Sequence, residues 1–309
     1  MKITVVGPGA VGSLFGLFLI KSKEEVHFLD HDHKRVQKLK RDGIKMEGIS
    51  GNHHVNVDIT DNPKDIGVSD LVIICVKSYD TEEAVKNAKP LISDRTMAMT
   101  LQNGVGNVQI LEELVGEDKV IGGVTNQGVN VKDWGQIVHA GRADTVIGKR
   151  DKKILGPIRD VAKILNKAGF QTKISKDIDS IIWSKLIVNV GINALTAVTR
   201  LNNGRLLDYD GTRAVMKRLV SEAVKVVKRK RVKLIYDDPI QKVELVCKAT
   251  AKNVSSMLQD VLRKRKTEID FINGAIVRQG ANYNIPTPAN ETLTNLIKTI
   301  ETSYDKSLI

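Results

Sequence analysis

"KITVVGPGAVGSLFGLFLIK", residues 2–21, decides how the first half of this chain folds. A short β-branched run, "ITVV", stops at Gly7; Gly9 and Gly12 follow in G-x-G-x-x-G register; then "SLFGLFLIK" carries a helical pattern. Strand, loop and helix stand in the order that binds a dinucleotide. Gly7 is expected to make the tight turn and Gly9 to let backbone amides approach a pyrophosphate, with Gly12 allowing close helix-to-strand packing. The phosphate would then rest on the helix N-terminus beside Ala10 and Val11. A glycine turn that merely packs is the plainer reading of the same residues.

Outward from this loop, short apolar runs alternate with helical segments: "EVHFLD", "DLVIICVK", "TMAMTLQ", "KVIGGVT", "QIVHA" and "DTVIGK". Alternation of this kind predicts a mainly parallel, doubly wound α/β sheet. From about residue 155 the period changes. "TRAVMKRLVSEAVKVVKRKR", "QKVELVCKATAK" and "ETLTNLIKTIETSYDK" all carry apolar stripes at helical spacing. The chain therefore divides into a Rossmann-type domain, 1–176, and a largely α-helical domain, 177–309, with a short join at "KISKDID" and a cleft expected between them.

The totals set limits. At 309 residues, with 41% hydrophobic and 27% charged residues, the chain has the composition of an ordinary globular protein. No signal segment is read at the N-terminus and no later run is read as long enough to span a bilayer, so a cytoplasmic protein without a membrane partner is expected. The net charge of +12 raises nucleic acid as a partner. Basic residues mixed with acids, as in "KSKEE" and "RKRKTEID", and only 4% aromatics argue against it. A positive field that concentrates small anions explains the balance as well. Cys75 and Cys247 lie in apolar contexts and are read as buried free thiols. The six histidines show no ligand spacing, "NHHVNVD" reads as a surface strand, and no metal is expected. No G-x-S-x-G elbow signals a serine nucleophile.

Asp30 ends the second strand eighteen residues beyond Gly12, where a carboxylate can accept hydrogen bonds from ribose hydroxyls and repel a 2′-phosphate. That favours NADH over NADPH, although His31, His33, Lys34 and Arg35 follow at once and could compensate a phosphate. A turn or cap role for Asp30 is the simpler alternative.

"WSKLIVNVGINALTAVTRLNNG", residues 183–204, contains a second signal. A four-residue step advances only about 40° around a helix, so Lys185, Asn189 and Asn193 form one narrow polar stripe on an otherwise apolar helix. By spacing alone the stripe, with Thr196, would face solvent. Thr267 and Glu268 read as a helix start, Ser256 as a cap, Asn103 and Asn203 (each before glycine) as turn residues, and Lys77 as a solvated strand end.

Four blocks, "GPGAVG", "LQNGVGN", "WSKLIVNVGINALTAVTRLNNG" and "SSMLQDVLRKRKTEIDFINGAIVRQ", occur in the order found in the ketopantoate reductases, and over nearly its whole length the chain resembles that family. The resemblance implies a Rossmann domain followed by an all-α domain of the 6-phosphogluconate dehydrogenase C-terminal type, reducing ketopantoate to D-pantoate with NAD(P)H on the route to coenzyme A. Lys185 matches the family's catalytic lysine and Glu268 its glutamate, which holds the substrate and lies near the cofactor. Asn189, Asn193, Asn203 and Ser256 match substrate-binding positions. Asn103 matches an asparagine near nicotinamide and substrate, and Lys77 a lysine near the cofactor. One position departs: where NADPH-preferring members have a stretch like "LIAR", this chain has "FLDH", with His31 in the arginine's place. A dehydrogenase of related architecture acting on another 2-oxo or 3-hydroxy acid, and a catalytically silent NAD(P)-binding regulator, are the alternatives. The long apolar stripes of the helical half are compatible with a homodimer.

Overall fold

The computed structural model describes residues 1–152, 154 and 156–306. They fall into two compact units, one within residues 1–102 and 106–178, the other within 103–105 and 179–306.

Unit 1 contains all twelve described strands: β1 (Lys2–Val6), β2 (Glu25–Leu29), β3 (Ile44–Gly48), β4 (His53–Val55), β5 (Asp58–Thr60), β6 (Leu71–Ile74), β7 (Met97–Thr100), β8 (Val120–Thr125), β9 (Gly128–Asp133), β10 (Gln136–Gly141), β11 (Thr145–Gly148) and β12 (Thr172–Ser175). Its helices are α1 (Ala10–Lys21), α2 (His33–Asp42), α3 (Thr81–Asn87), α4 (Asn107–Val115) and α5 (Gly156–Lys167). Eight strands make the main sheet in the order β12-β11-β8-β7-β6-β1-β2-β5. Every pairing in it is parallel except β8 with β11. From β1 the chain winds one way to β2 and β5, then returns to the other side of β1 at β6. The reversal between β1 and β6 is the point at which open α/β sheets bind ligands beyond their strand ends.

The run "QIVHA", expected in that sheet, lies elsewhere. As β10 it pairs with β3 and β9 in a separate four-stranded sheet, β4-β3-β10-β9. The reason is visible in α1. Leu14, Phe15, Leu17 and Leu19 are all buried, so the helix is apolar almost all round and needs cover on two sides. The second sheet supplies it: Ile137, Met46, Val129 and Val131 belong to the same core as α1, and Phe18 meets His53 and His139 edge-on. Phe15 stacks on Phe170, the ring centroids 3.9 Å apart. "NHHVNVD" gives the edge strand β4 and the start of β5.

Unit 2 is built of α6 (Ile178–Thr199), α7 (Asp210–Arg229), α8 (Pro239–Ala249), α9 (Ser256–Leu262), α10 (Asn273–Asn282) and α11 (Pro288–Thr302). At 22 residues α6 is long and apolar enough to cross a membrane, contrary to the reading that no segment is. Its composition has another cause: Leu186, Ile187, Val190 and Leu195 are buried in the core of unit 2. Gly191 allows the closest approach. A Cβ there would come within 2.8 Å of Val243 on α8 and 3.0 Å of Val220 on α7.

The start of α11 has no side-chain cap of its own. Glu222 on α7 takes that role. Its Oε1 accepts from the Ala289 N–H at 2.9 Å and its Oε2 from the Asn290 N–H at 3.0 Å and from Asn290 Nδ2 at 2.7 Å. A carboxylate at a helix N-terminus satisfies donors that the helix cannot and opposes the positive end of its dipole. Glu222→Ala should therefore lower the unfolding free energy by about 3 kcal/mol, because several buried donors lose their partner together. Urea unfolding followed by circular dichroism measures it, and a loss below about 0.5 kcal/mol would mean that the cap contributes no more than an ordinary surface side chain.

Candidate functional site

In unit 1, β1 delivers the chain to Gly7, whose φ of +88° lies in the left-handed region. A Cβ at Gly7 would fall 2.6 Å from Val76 Cγ1 and 2.9 Å from the Val76 nitrogen, so the loop lies directly against the chain leaving β6. At Gly12 a Cβ would meet the Gly7 carbonyl oxygen at 2.3 Å and Cys75 Cβ at 3.2 Å. The close approach at Gly12 is thus to the loop itself and to Cys75 rather than to a strand alone. Gly9 differs: a Cβ there would meet nothing within 4 Å. It is the N-cap of α1 and provides no side-chain cap, leaving the first-turn N–H groups around Ala10 and Val11 without that competitor. Open space beside an uncapped helix N-terminus fits the pyrophosphate of a dinucleotide.

Asp30 follows β2 and is 4% exposed. Its Oδ1 accepts from the Asp32 N–H at 2.9 Å and pairs with Arg35 Nη2 at 3.0 Å. Oδ2 is left over for a further donor. The turn reading of Asp30 is realised through Asp32, while Asp32 itself caps α2 by accepting from the Arg35 N–H at 3.1 Å. Burial pushes the Asp30 carboxyl above its ordinary range, with the Arg35 guanidinium and the Asp32 N–H pulling the other way. Arg35 also lies over the Trp134 ring, 5.9 Å from its centroid, and its Nε is buried without a hydrogen-bond partner. The sequence named Arg35 only as one of several nearby cations; its fixed pairing with Asp30 had no separate signal.

Lys77 does not end a strand. β6 stops at Ile74, and Lys77 is half-buried in the loop, in extended backbone before a 3-10 turn at Ser78–Asp80. Gln102 ties this loop to the one after β7, its Nε2 donating to the Val76 carbonyl and to Thr81 Oγ1, each at 2.8 Å. Cys75 is partly buried and Cys247 buried, both free, and burial pushes both thiols up to about 12. Neither is a reactive thiolate near neutral pH.

In unit 2 the polar stripe of α6 is not a solvated face. Lys185 and Asn189 are half-buried, Asn193 is 6% exposed and Thr196 fully buried. Burial pulls the Lys185 ammonium down to about 8, against the Glu268 carboxylate, which works to keep it charged. Glu268, 6% exposed, starts the 3-10 turn Ile269–Phe271 ahead of α10. Thr267 Oγ1 accepts from the Ile269 N–H at 3.2 Å, so Thr267 acts at this turn and not as the cap of a longer helix.

Asn103 is half-buried, and its neighbours tie the segment to the same turn: the Val105 N–H donates to the Phe271 carbonyl at 3.2 Å. Gly104, at φ +83°, has no room for a Cβ, which would lie 2.5 Å from the Phe271 carbonyl oxygen. Asn193 Nδ2 reaches Ser256 Oγ in a long contact of 3.5 Å. Ser256 is exposed in the first turn of α9 and is not the cap. Ser255 is, accepting from the Leu258 N–H at 3.1 Å and bonding Thr196 Oγ1 at 2.7 Å. The doubled serine left that choice open in sequence. Asn203 stands apart: its Nδ2 donates to Thr250 Oγ1 at 2.9 Å and its N–H to the Asn253 carbonyl at 3.0 Å, while its buried Oδ1 has no partner. Among the described residues no three His, Cys, Asp or Glu side chains gather as a metal site.

A half-buried ammonium held charged by a neighbouring carboxylate, with asparagine amides on the same helix face, can polarise a carbonyl, supply it a proton and orient a hydroxyl or carboxylate beside it. Comparison with known proteins agrees in kind. The family model described as Ketopantoate reductase PanE/ApbA matches residues 3–152, and that of its C terminal matches residues 177–301. The 2-dehydropantoate 2-reductase of Archaeoglobus fulgidus is 36% identical over 301 residues, 97% of this chain and 98% of the relative. That of Halobacterium salinarum is 33% identical over 96% and 98% of the two chains. Among solved structures, a PanE/ApbA family ketopantoate reductase from Ralstonia eutropha superposes with a TM-score of 0.91 at 33% identity, covering 99% of this chain and 100% of that one. D-mandelate dehydrogenase, solved with NADH and anilino(oxo)acetate, gives 0.90 at 27% identity with the same coverage. With both halves matched and full-length relatives above 30% identity, this chain belongs to the ketopantoate reductase family.

Proposed function

We propose that this chain is an NAD(P)H-dependent 2-dehydropantoate 2-reductase, reducing ketopantoate to D-pantoate on the route to pantothenate and coenzyme A. The observation that carries the reading is the half-buried Lys185 within electrostatic reach of Glu268, on a helix face that continues through half-buried Asn189 to buried Asn193. The glycine loop and the first turn of α1 would hold the nicotinamide cofactor, which would supply the hydride for C2 of the 2-oxo acid. Lys185 polarises the C2 carbonyl and gives its proton to the oxygen as negative charge develops there. A value of about 8 suits that task better than the ordinary lysine value, since the ammonium remains charged near neutrality yet releases its proton more readily. Glu268 holds the ammonium and orients the substrate. Asn189 and Asn193 offer amide groups to its hydroxyl and carboxylate without a competing charge, Ser256 contributes a hydroxyl and Asn103 completes the polar surroundings; Asn203, whose Nδ2 is taken by Thr250 Oγ1, would meet the substrate only through its Oδ1.

Lys77 and the first turn of α1 bind the cofactor, and Asp30 reads its ribose. The free Oδ2 of Asp30 supports acceptance from a ribose hydroxyl and hence NADH, and a structural relative bound to NADH is in accord. On this reading the enzyme works in the cytoplasm on a small anion, without a nucleic-acid or membrane partner. A second reading, reduction of another 2-oxo acid, draws on the likeness to D-mandelate dehydrogenase at 27% identity, but the 2-dehydropantoate 2-reductases of Archaeoglobus fulgidus and Halobacterium salinarum are more similar, at 36% and 33%.

The deciding experiment is oxidation of NADH or NADPH with ketopantoate, beside a panel of other 2-oxo acids; turnover of another acid with none of ketopantoate would replace the first reading by the second. Lys185→Ala should lower kcat by roughly 10²–10⁴-fold while the cofactor Kd stays put, and near-normal turnover would remove Lys185 from the chemistry. The kcat/KM for ketopantoate should fall as pH rises through about 8, where the ammonium loses its proton. Because Glu268 raises that value, Glu268→Gln should move the falling limb to lower pH; an unmoved limb would assign it to another group. In cofactor choice, wild type should show the higher kcat/KM with NADH and Asp30→Ala should narrow the ratio. A strong wild-type preference for NADPH would reject the role given to Asp30.

A further inference from the structure

Three polar side chains in unit 2 are buried where the reaction just proposed gives them no task. Asn273 and Asn290 have no exposed surface, and Glu222 is 9% exposed. They form one hydrogen-bonded chain. Asn290 Nδ2 donates to Glu222 Oε2 at 2.7 Å and to the Leu219 carbonyl at 3.1 Å. Both neighbours are acceptors, so the amide orientation of Asn290 is fixed and its Oδ1 must face Asn273. Asn273 Nδ2 in turn donates to that Oδ1 at 3.0 Å and to the Val190 carbonyl at 3.2 Å. Polarity set by the carboxylate on α7 is thus passed through α11 and α10 to the backbone of α6.

The last bond falls at a telling place. Val190 is next to Asn189, three residues before Asn193 and five after Lys185. Asn273 is the first residue of α10, five after Glu268, with the Ile269–Phe271 turn between. One side chain therefore grips the backbone of the lysine helix and stands at the end of the turn that carries the glutamate. Apolar contacts between helices tolerate small slides and rotations; a directed bond to a single carbonyl does not. Three polar groups in an apolar core also carry a desolvation cost that packing alone would avoid. Asn273 leaves its own Oδ1 buried and unpartnered, so its placement serves the two bonds made by Nδ2.

We infer that Asn273 is a positioning residue for the reduction: its bond to the Val190 carbonyl sets the depth and rotation of the Lys185–Asn189–Asn193 face relative to Glu268. The inference rests on the proposed role of that face. Loss of the bond should loosen the pairing that shapes the titration of Lys185 as well as the fit of the substrate, while the glycine loop, in the other unit, is untouched.

Asn273→Leu, close in size but without a donor, tests it in the full-length enzyme. The expected result is a fall of roughly tenfold or more in kcat/KM for ketopantoate and a displaced high-pH limb, with the NAD(P)H Kd within about twofold of wild type. Unchanged kcat/KM and pH profile in the folded variant would overturn it, as would a loss in which cofactor affinity falls equally. If Asn273→Leu does not fold, Asn273→Ser, too short to keep both bonds of the asparagine amide, is read by the same criteria. Wild type inactive on ketopantoate would instead defeat the functional reading, a different outcome from an active wild type with an indifferent Asn273 variant.

Discussion

A lysine ammonium withdrawn from water is the constraint on which the helical half of this protein turns. Burial favours the neutral amine, and the Glu268 carboxylate favours the charged form; the balance leaves Lys185 near 8. Such a balance holds only if both groups stay in place, since a small separation costs the ammonium its counter-charge while its desolvation remains. The surrounding helices meet that demand. α6 is locked against α7 and α8 by the absence of a side chain at Gly191 and tied to α10 through Asn273, while the turn carrying Glu268 is braced by Thr267 and by the Val105 bond to Phe271.

Unit 1 solves a different problem, that of bringing backbone donors to an anion. Its loop departs from β1 where the sheet reverses direction, and the contacts that would exclude a Cβ at Gly7 and Gly12 come from Val76, Cys75 and the loop's own carbonyl. The glycines are therefore required by the chain leaving β6 as much as by a cofactor. Asp30 and Arg35 are coupled in the same manner. A carboxylate buried to this extent needs a compensating charge, and the guanidinium supplies it from one side of Oδ1, leaving the other oxygen for a ligand.

The candidate residues differed in how plainly the chain announced them. Gly7, Gly9 and Gly12 could be read because a loop of that register depends on neighbours within a dozen residues. The Lys185, Asn189 and Asn193 stripe was equally visible; its spacing alone favoured solvent, the family resemblance pointed to a site instead, and the fold adds the burial of Asn193 and Thr196. Ser255 and Ser256 were indistinguishable as caps until α9 had a first turn. Lys77 was misjudged as a strand end because apolar residues continue through Val76, although the hydrogen-bonded strand ends at Ile74. "QIVHA" has ordinary strand composition, and nothing local says which of two sheets it joins.

By itself the sequence determined what local periodicity and short-range sterics govern: the strand, loop and helix of the cofactor end, the change to a helical second half, and one polar face on α6. Pairings between residues far apart in the chain were decided only by tertiary structure. Glu222 with Asn290, Asn273 with Val190, and Asp30 with Arg35 over the Trp134 ring all depend on which helix faces which, or on a turn whose geometry is fixed from outside. The physical reason is that a buried polar group is satisfied by whatever donor or acceptor the packed fold brings to it, and that partner leaves no periodic trace in the residues nearby.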